Sequence, residues 1–278
     1  MTQAFHSTGA TVVVDGVRVH YKRSGEGPAL VLVHGLVGSA RNWDRNIRFL
    51  SQFRTVYALD LANSGASERV AGLDAGLVAH ADRVARCMDE LGIDVADVGG
   101  HSHGGAISMM LAARHRARVR RLVLFAPANP FCNLGDPQMR FYATRFGSLF
   151  ASRVVPLLPR VMHRRSLERM YGDPKRIAEG VLEGYTDGLN RSAIQHILAI
   201  MRRWTEDMAV LERSLPELTG VATLLVWGDR DRAVALKSGE ELARRLGASL
   251  TVVPEAGHIA FEEMPDVCNR AVGEWLLA

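Results

Sequence analysis

Gly99-Gly100-His101-Ser102-His103-Gly104-Gly105 is the stretch on which the fold of this chain turns. Residues 94–99 read as a short buried strand and 106–114 as a helix, which places Ser102 on a strand-to-helix turn. A turn that sharp forces strained backbone angles on the serine and presses its neighbours against the facing chain, so small residues are needed two positions to either side. Gly100 and Gly104 supply them. The hydroxyl then stands above a strand end beside the first amides of a helix, where the helix dipole favours negative charge. His101 and His103 also make a His-x-His pair, but no further His or Cys cluster at ligand spacing accompanies it, so no metal is expected.

Outward from this turn, the chain alternates strands and helices. Residues 11–14 and 17–21 are β-branched runs joined by Asp15-Gly16, the dipeptide of a tight hairpin turn. Residues 29–33 and 55–59 are continuous apolar runs, as expected for strands covered on both faces. Residues 74–91 carry Leu77, Ala81, Val84, Ala85 and Met88 at helical spacing, and 121–125 supply the next strand. Alternation then stops for residues 130–218, which hold helix-like segments at 137–150, 164–170, 174–188 and 190–211 and no convincing strand. It resumes with strands at 223–227 and 249–253 and helices at 235–246 and 261–277. The pattern implies an α/β fold with a mostly parallel central sheet, helices on both faces and an inserted helical cap. The expected division is a core of residues 1–129 and 219–278 and a cap of residues 130–218.

With 278 residues and 47% hydrophobic content the chain can bury one large core, with or without a lobe. Its net charge of +4 comes from scattered arginines and not from a basic block, so nucleic acid is not an expected partner. Cys87, Cys132 and Cys268 lie far apart and form no Cys-x-x-Cys pair, which suits a reduced cytoplasmic setting. No run approaches a membrane span and residues 1–9 do not look like a signal peptide, so no membrane partner is expected either. A monomer or homodimer fits equally well.

A serine hydroxyl is a weak nucleophile at neutral pH; catalysis by Ser102 requires a histidine to take its proton and a carboxylate to orient that histidine. In an open parallel sheet both should come from loops at the carboxyl edge. Trp227-Gly228-Asp229-Arg230-Asp231 and Glu255-Ala256-Gly257-His258 qualify, leaving Asp229 and Asp231 as candidate acids and His258 as the base. Ala126-Pro127-Ala128-Asn129, after the preceding strand, has no carboxylate.

In these residues, and in their order, the chain resembles the α/β-hydrolases: Gly100-His101-Ser102-His103-Gly104, then Asp231, then His258. The resemblance extends to His34-Gly35, to Trp43 and to Glu262-Glu263-Met264-Pro265 after His258, and so covers nearly the whole chain. It implies a Ser102, Asp231, His258 triad, with Asp231 on the family's Gly-x-x-Asp pattern, and an oxyanion hole from the backbone amides of Leu36 and His103. Asn63 departs from the family, which usually has glycine there, and Ala235 stands where proline is common. A serine nucleophile argues against the dehalogenase and epoxide hydrolase branches. Carbon-carbon hydrolases of the family usually carry tryptophan after the histidine, where this chain has Ile259.

The resulting expectation is a cofactor-free serine hydrolase that cleaves a lipophilic small-molecule ester or thioester through an acyl-enzyme. Val234, Ile259 and Trp204 are candidate substrate-binding residues. The lobe's apolar residues, among them Phe141, Phe146, Met162, Met170, Ile197 and Met201, suit a lipophilic substrate or pack core. Alternatives are carbon-carbon hydrolysis, lyase or perhydrolase chemistry on the same triad, and a ligand receptor with vestigial catalysis.

Overall fold

The computed structural model describes residues 8–132, 141, 144–158 and 160–278. Strands β1 (Thr8–Val14), β2 (Val17–Ser24), β3 (Ala29–Val33), β4 (Thr55–Leu59), β5 (Ala96–His101), β6 (Val119–Phe125), β7 (Ala222–Gly228) and β8 (Ser249–Val253) form one sheet in the order β1-β2-β4-β3-β5-β6-β7-β8. The hairpin turns at Asp15 and Gly16 with φ of 52° and 77°, the positive pair that a type I′ turn demands. β1 and β2 are antiparallel, as are β2 and β4, and every other pair is parallel. The carboxyl ends of β3, β5, β6, β7 and β8 therefore share one edge.

Helices cover both faces because the central strands are apolar on both. On one side α2 (Leu77–Glu90) and α3 (His103–Arg114) bury Leu77, Val84, Met88, Ile107 and Leu111 with Val31, Val33 and Val98. On the other, α1 (Asp44–Leu50), α9 (Ala260–Glu263) and α10 (Pro265–Leu277) bury Ile47, Leu50, Phe261, Cys268 and Val272 with Leu30, Leu32 and Val226, joined by Trp43. The expected single helix 261–277 is two helices: Met264, with φ −128° and ψ 62°, breaks it because the residue before a proline is pushed out of the helical region.

Between β6 and β7 the described residues are helical without a strand: α4 (Arg145–Val154), α5 (Arg160–Glu168), α6 (Val181–Thr186) and α7 (Arg191–Ser214). Residues 137–140, 142 and 143 of the expected 137–150 helix lie outside the described residues. α5 starts earlier than expected, and the expected helix 174–188 resolves into a short turn, Pro174–Arg176, followed by α6. Gly180, at φ 79°, interrupts the helical path between them. Asn190 caps α7, its side chain accepting from the Ala193 N–H at 2.9 Å. α8 (Leu236–Leu246) follows β7. The three cysteines are free thiols, and no described helix is long and apolar enough to cross a membrane.

Candidate active site

β5 ends in His101, and Ser102 turns the chain into α3 with φ 52° and ψ −120°, a combination costly for any residue with a side chain. The carbonyl of Ser102 is tied down by the N–H groups of Gly105 at 2.9 Å and Ala128 at 2.9 Å, and its own N–H donates to Phe125 O at 3.0 Å. A Cβ at Gly104 would overlap the carbonyl oxygens of Val33 and His34, and one at Gly100 would overlap Gly104 O and Ser108 Oγ. The glycines two positions from Ser102 are therefore required by space. Gly35 is less tightly confined but also close: a Cβ there would lie 2.9 Å from His101 Nδ1 and 3.2 Å from the Ser102 Cβ, which puts the loop after β3 against the serine.

The loop after β8 brings His258, and the loop after β7 brings its acid. His258 Nδ1 donates to Asp231 Oδ2 at 2.8 Å, and the Asp231 side chain is fully buried. The other oxygen, Oδ1, accepts from the N–H groups of Ala233 at 2.8 Å and Val234 at 2.9 Å, so the carboxylate is held at both ends. Asp229 is exposed; of the two carboxylates, Asp231 is the one that meets the histidine. With Nδ1 engaged, Nε2 is the nitrogen left to exchange protons.

The loop of Gly35 and Leu36 is fixed by His34. Its Nε2 accepts from the Leu61 N–H at 3.0 Å, so Nδ1 carries the proton and donates to Gly35 O at 2.7 Å. Burial pushes this imidazole below its ordinary pKa, against the pull of Asp60, and keeps it neutral. Leu36 N–H has no acceptor among the described residues, and His103 is the first residue of α3, where amides lack an intrahelical carbonyl. After β4, Asp60 accepts from Ala40 N–H, Ala66 N–H and His20 Nδ1, closing the loop in which Asn63 departs from the family. Asn63 has φ 67°, a left-handed conformation that asparagine tolerates, and its amide exchanges two hydrogen bonds with the backbone of Val70.

The two histidines beside Ser102 go to different neighbours. His101 Nε2 donates to the His258 carbonyl at 3.1 Å, with ring centroids 4.7 Å apart. His103 packs with His80 at 5.6 Å and Trp204 at 6.3 Å, and His80 in turn meets His196 at 5.3 Å. Burial first, then the neighbouring imidazoles, lowers the His103 pKa to about 3; burial and Arg83 lower His196 to about 4. His80 and His101 are pushed well below the ordinary value by the same desolvation.

Of the pocket candidates, Trp204 is half-buried on α7 near His103. Val234 is buried in the acid loop, where its carbonyl accepts from Trp227 Nε1 at 2.9 Å, and Ile259 lies 2% exposed in the core. Within the helical segment, Phe146 and Met162 face outward at 74% and 46% exposure, whereas Met201 is buried. A cleft of about 490 Å³ between α4 and α7 is lined by Ser148, Leu149, Ser152, Gln195, Leu198 and Arg202, and by none of Ser102, Asp231 or His258.

Two carboxylates that sequence reasoning noticed only as part of a motif join this site to the helical segment. Glu263, fully buried, accepts from Gly257 N–H at 2.8 Å, Gly172 N–H at 2.9 Å and Asp173 N–H at 2.9 Å. The His258 N–H donates to Met170 O at 2.7 Å. Glu262 accepts from Tyr171 OH at 3.1 Å, Tyr185 OH at 3.0 Å and Asn42 Nδ2 at 3.1 Å, and burial raises its pKa to about 7. Sequence offered only the presence of two adjacent acids after the histidine; most of their partners, Tyr171, Gly172, Asp173, Tyr185 and Asn42, are distant in sequence and meet them only in the fold.

Residues 28–265 match the family described as alpha/beta hydrolase fold. The chain belongs to that family. Among its relatives, the dihydrolipoyllysine-residue acetyltransferase component of the acetoin cleaving system of Cupriavidus necator is 34% identical over 268 residues, 95% of this chain and 67% of that protein. The 2-hydroxy-6-oxo-2,4-heptadienoate hydrolase of Pseudomonas putida is 26% identical over 287 residues, 100% of this chain and 99% of the relative. The fold is also that of a meta-cleavage product hydrolase, with TM-score 0.80 and 23% identity over 96% of this chain and 97% of that one.

Proposed function

We propose that this member of the alpha/beta hydrolase fold family is a serine hydrolase that cleaves a carboxylic ester or thioester through an acyl-enzyme on Ser102. The observation that carries the proposal is the buried His258–Asp231 pair on the same sheet edge as a serine in a strained, glycine-flanked turn. In this reading Ser102 Oγ attacks the carbonyl carbon and its proton passes to His258 Nε2, while Asp231 steadies the imidazolium that forms. The tetrahedral oxyanion is received by the amides of Leu36 and His103, at the first turn of α3, where such donors are worth about 3 kcal/mol each at the transition state. The leaving alkoxide or thiolate takes the proton from His258. Water, deprotonated by the same nitrogen, then releases the acid. The helices of residues 130–218 would act as the cap over this edge, with Trp204, its ring centroid 6.3 Å from that of His103, as a pocket candidate.

The acetyltransferase relative supports acyl transfer as the shared chemistry. A second reading, hydrolysis of a carbon-carbon bond beside a ketone, is favoured by the dienoate hydrolase relative, and the same attack at a carbonyl would serve it. Ile259 after the histidine weighs toward esters. The discriminating experiment compares wild type and Ser102→Ala on p-nitrophenyl esters of increasing chain length, an acyl thioester and 2-hydroxy-6-oxo-2,4-heptadienoate. Ester or thioester turnover that exceeds dienoate turnover and is lost in the variant sustains the proposal. Faster, Ser102-dependent dienoate cleavage replaces it with the second reading. Wild type no faster than the variant on every substrate removes both in favour of a binding protein.

A further inference from the structure

Helix α4 is docked with its small residues inward. Gly147, Ser148, Ala151 and Ser152 are buried, Ala151 against Ile194, Leu198 and Met201 of α7. Phe146, Leu149 and Phe150, which share one helical face at spacings of three and four, are 74%, 54% and 51% exposed. The apolar surface continues along the chain through Leu157 at 82%, Val161 at 56% and Met162 at 46%. Large side chains outside and small ones inside invert the usual order for a helix packed on a protein, and isolated exposed apolar residues do not cluster in this way.

The charge along this stretch is mostly of one sign. Over residues 145–169 the sequence carries Arg145, Arg153, Arg160, Arg164, Arg165 and Arg169, and its single acid is Glu168, paired with Arg164 at 3.0 Å. Arg153, Arg164, Arg165 and Arg169 are exposed. An apolar face bracketed by arginines is the arrangement that inserts shallowly among acyl chains while its cations meet anionic headgroups. A second copy of this chain would have to set the same cationic patch against itself, since a two-fold contact pairs like surface with like.

We infer that the α4–α5 face docks this protein reversibly on an anionic lipid surface. The expectation of no membrane partner came from the lack of a spanning run, which does not address a surface of this kind. The inference is independent of the reaction carried out at Ser102.

The test is co-sedimentation of the full chain with vesicles of phosphatidylcholine alone, or with about one third phosphatidylglycerol, at low salt and at about 0.5 M salt. Two variants accompany it, Phe146→Ser/Leu157→Ser/Val161→Ser and Arg153→Ser/Arg164→Ser/Arg165→Ser, with thermal unfolding as the check on folding. Binding to the anionic vesicles only, weakened by salt and reduced at least about tenfold in each variant, is the expected result. Should a triple variant fail to fold, Leu157→Ser alone carries the test, because that side chain is 82% exposed. No sedimentation with anionic vesicles, or sedimentation that both sets of substitutions leave intact, overturns the inference. So does a dimer in light scattering that the apolar variant dissociates, which would make the face a contact between copies.

Discussion

Replacing Glu263 by glutamine is expected to lower both stability and turnover, because its two oxygens together hold three backbone N–H groups from two distant segments. Oε2 serves Gly172 and Gly257, and Oε1 serves Asp173. A glutamine keeps one acceptor and turns an NH2 group on whatever the other oxygen held. If its carbonyl stays with Gly172 and Gly257, one charge-assisted bond worth about 1.5–3 kcal/mol is lost and a donor faces a donor, for a total of about 3 kcal/mol. In a chain of this size that corresponds to a fall in unfolding temperature of roughly 6–10 °C. Turnover is expected to fall as well because His258, the proposed base, directly follows Gly257 and is pinned to Met170, so slack in this joint would misplace it. A displacement of about 1 Å at a catalytic group costs on the order of a hundredfold, so kcat is expected to drop ten- to a hundredfold with KM little changed. Calorimetry and steady-state hydrolysis of a p-nitrophenyl ester measure both. An unfolding temperature within about 1 °C of wild type together with kcat within about twofold would refute the reasoning.

Acid should destabilise the protein through its buried imidazoles. His103 titrates at about 3 in the fold and near 6.5 when unfolded, so the unfolded chain binds more protons in between and stability falls as pH drops below 6.5. At pH 5 this amounts to about 2 kcal/mol, and His103→Met, which keeps the backbone amide, should remove it in urea titrations at pH 5 and 8. Glu262 has the opposite sign: raised to about 7 from 4.5, it contributes stability that is lost as pH rises through that interval. Glu262→Gln should therefore gain on wild type by up to about 3 kcal/mol between pH 5 and 8, and a gap that does not widen with pH contradicts the assignment. Gly104→Ala, whose methyl would overlap the carbonyls of Val33 and His34, should cost more than about 2 kcal/mol and abolish labelling of Ser102 by a fluorophosphonate. Ala235→Pro should stabilise by about 0.5–1 kcal/mol, since Ala235 has φ −59° and its N–H has no acceptor among the described residues; a lower unfolding temperature would show that Val234 cannot accept a following proline.

Local chemistry determined much of this protein. Apolar runs such as Ala29–Val33 name buried strands wherever they are placed, Asp15-Gly16 names its own turn, and Gly100 and Gly104 announce a serine turned sharply between strand and helix. The order of Ser102, Asp231 and His258 is legible because each follows a strand, and parallel strands deliver their ends to one edge. The choice between Asp229 and Asp231 needed coordinates in addition to a family pattern: both lie in the same loop, and only a carboxylate turned inward, held by Ala233 and Val234, reaches the imidazole.

Only the tertiary structure decided what contacts across the sheet and across the helical segment mean. His101 and His103 look equivalent in sequence, yet one donates to the His258 carbonyl and the other is buried against His80 and Trp204, because the turn at Ser102 sends successive side chains to different sides. Glu262 and Glu263 became joints because packing brought backbone amides and tyrosines from distant positions to them. The outward face of α4 was invisible for a related reason. A periodic apolar pattern says that a helix has two faces, but which one is buried depends on what the neighbouring helix has room for, and α7 accepted the small one.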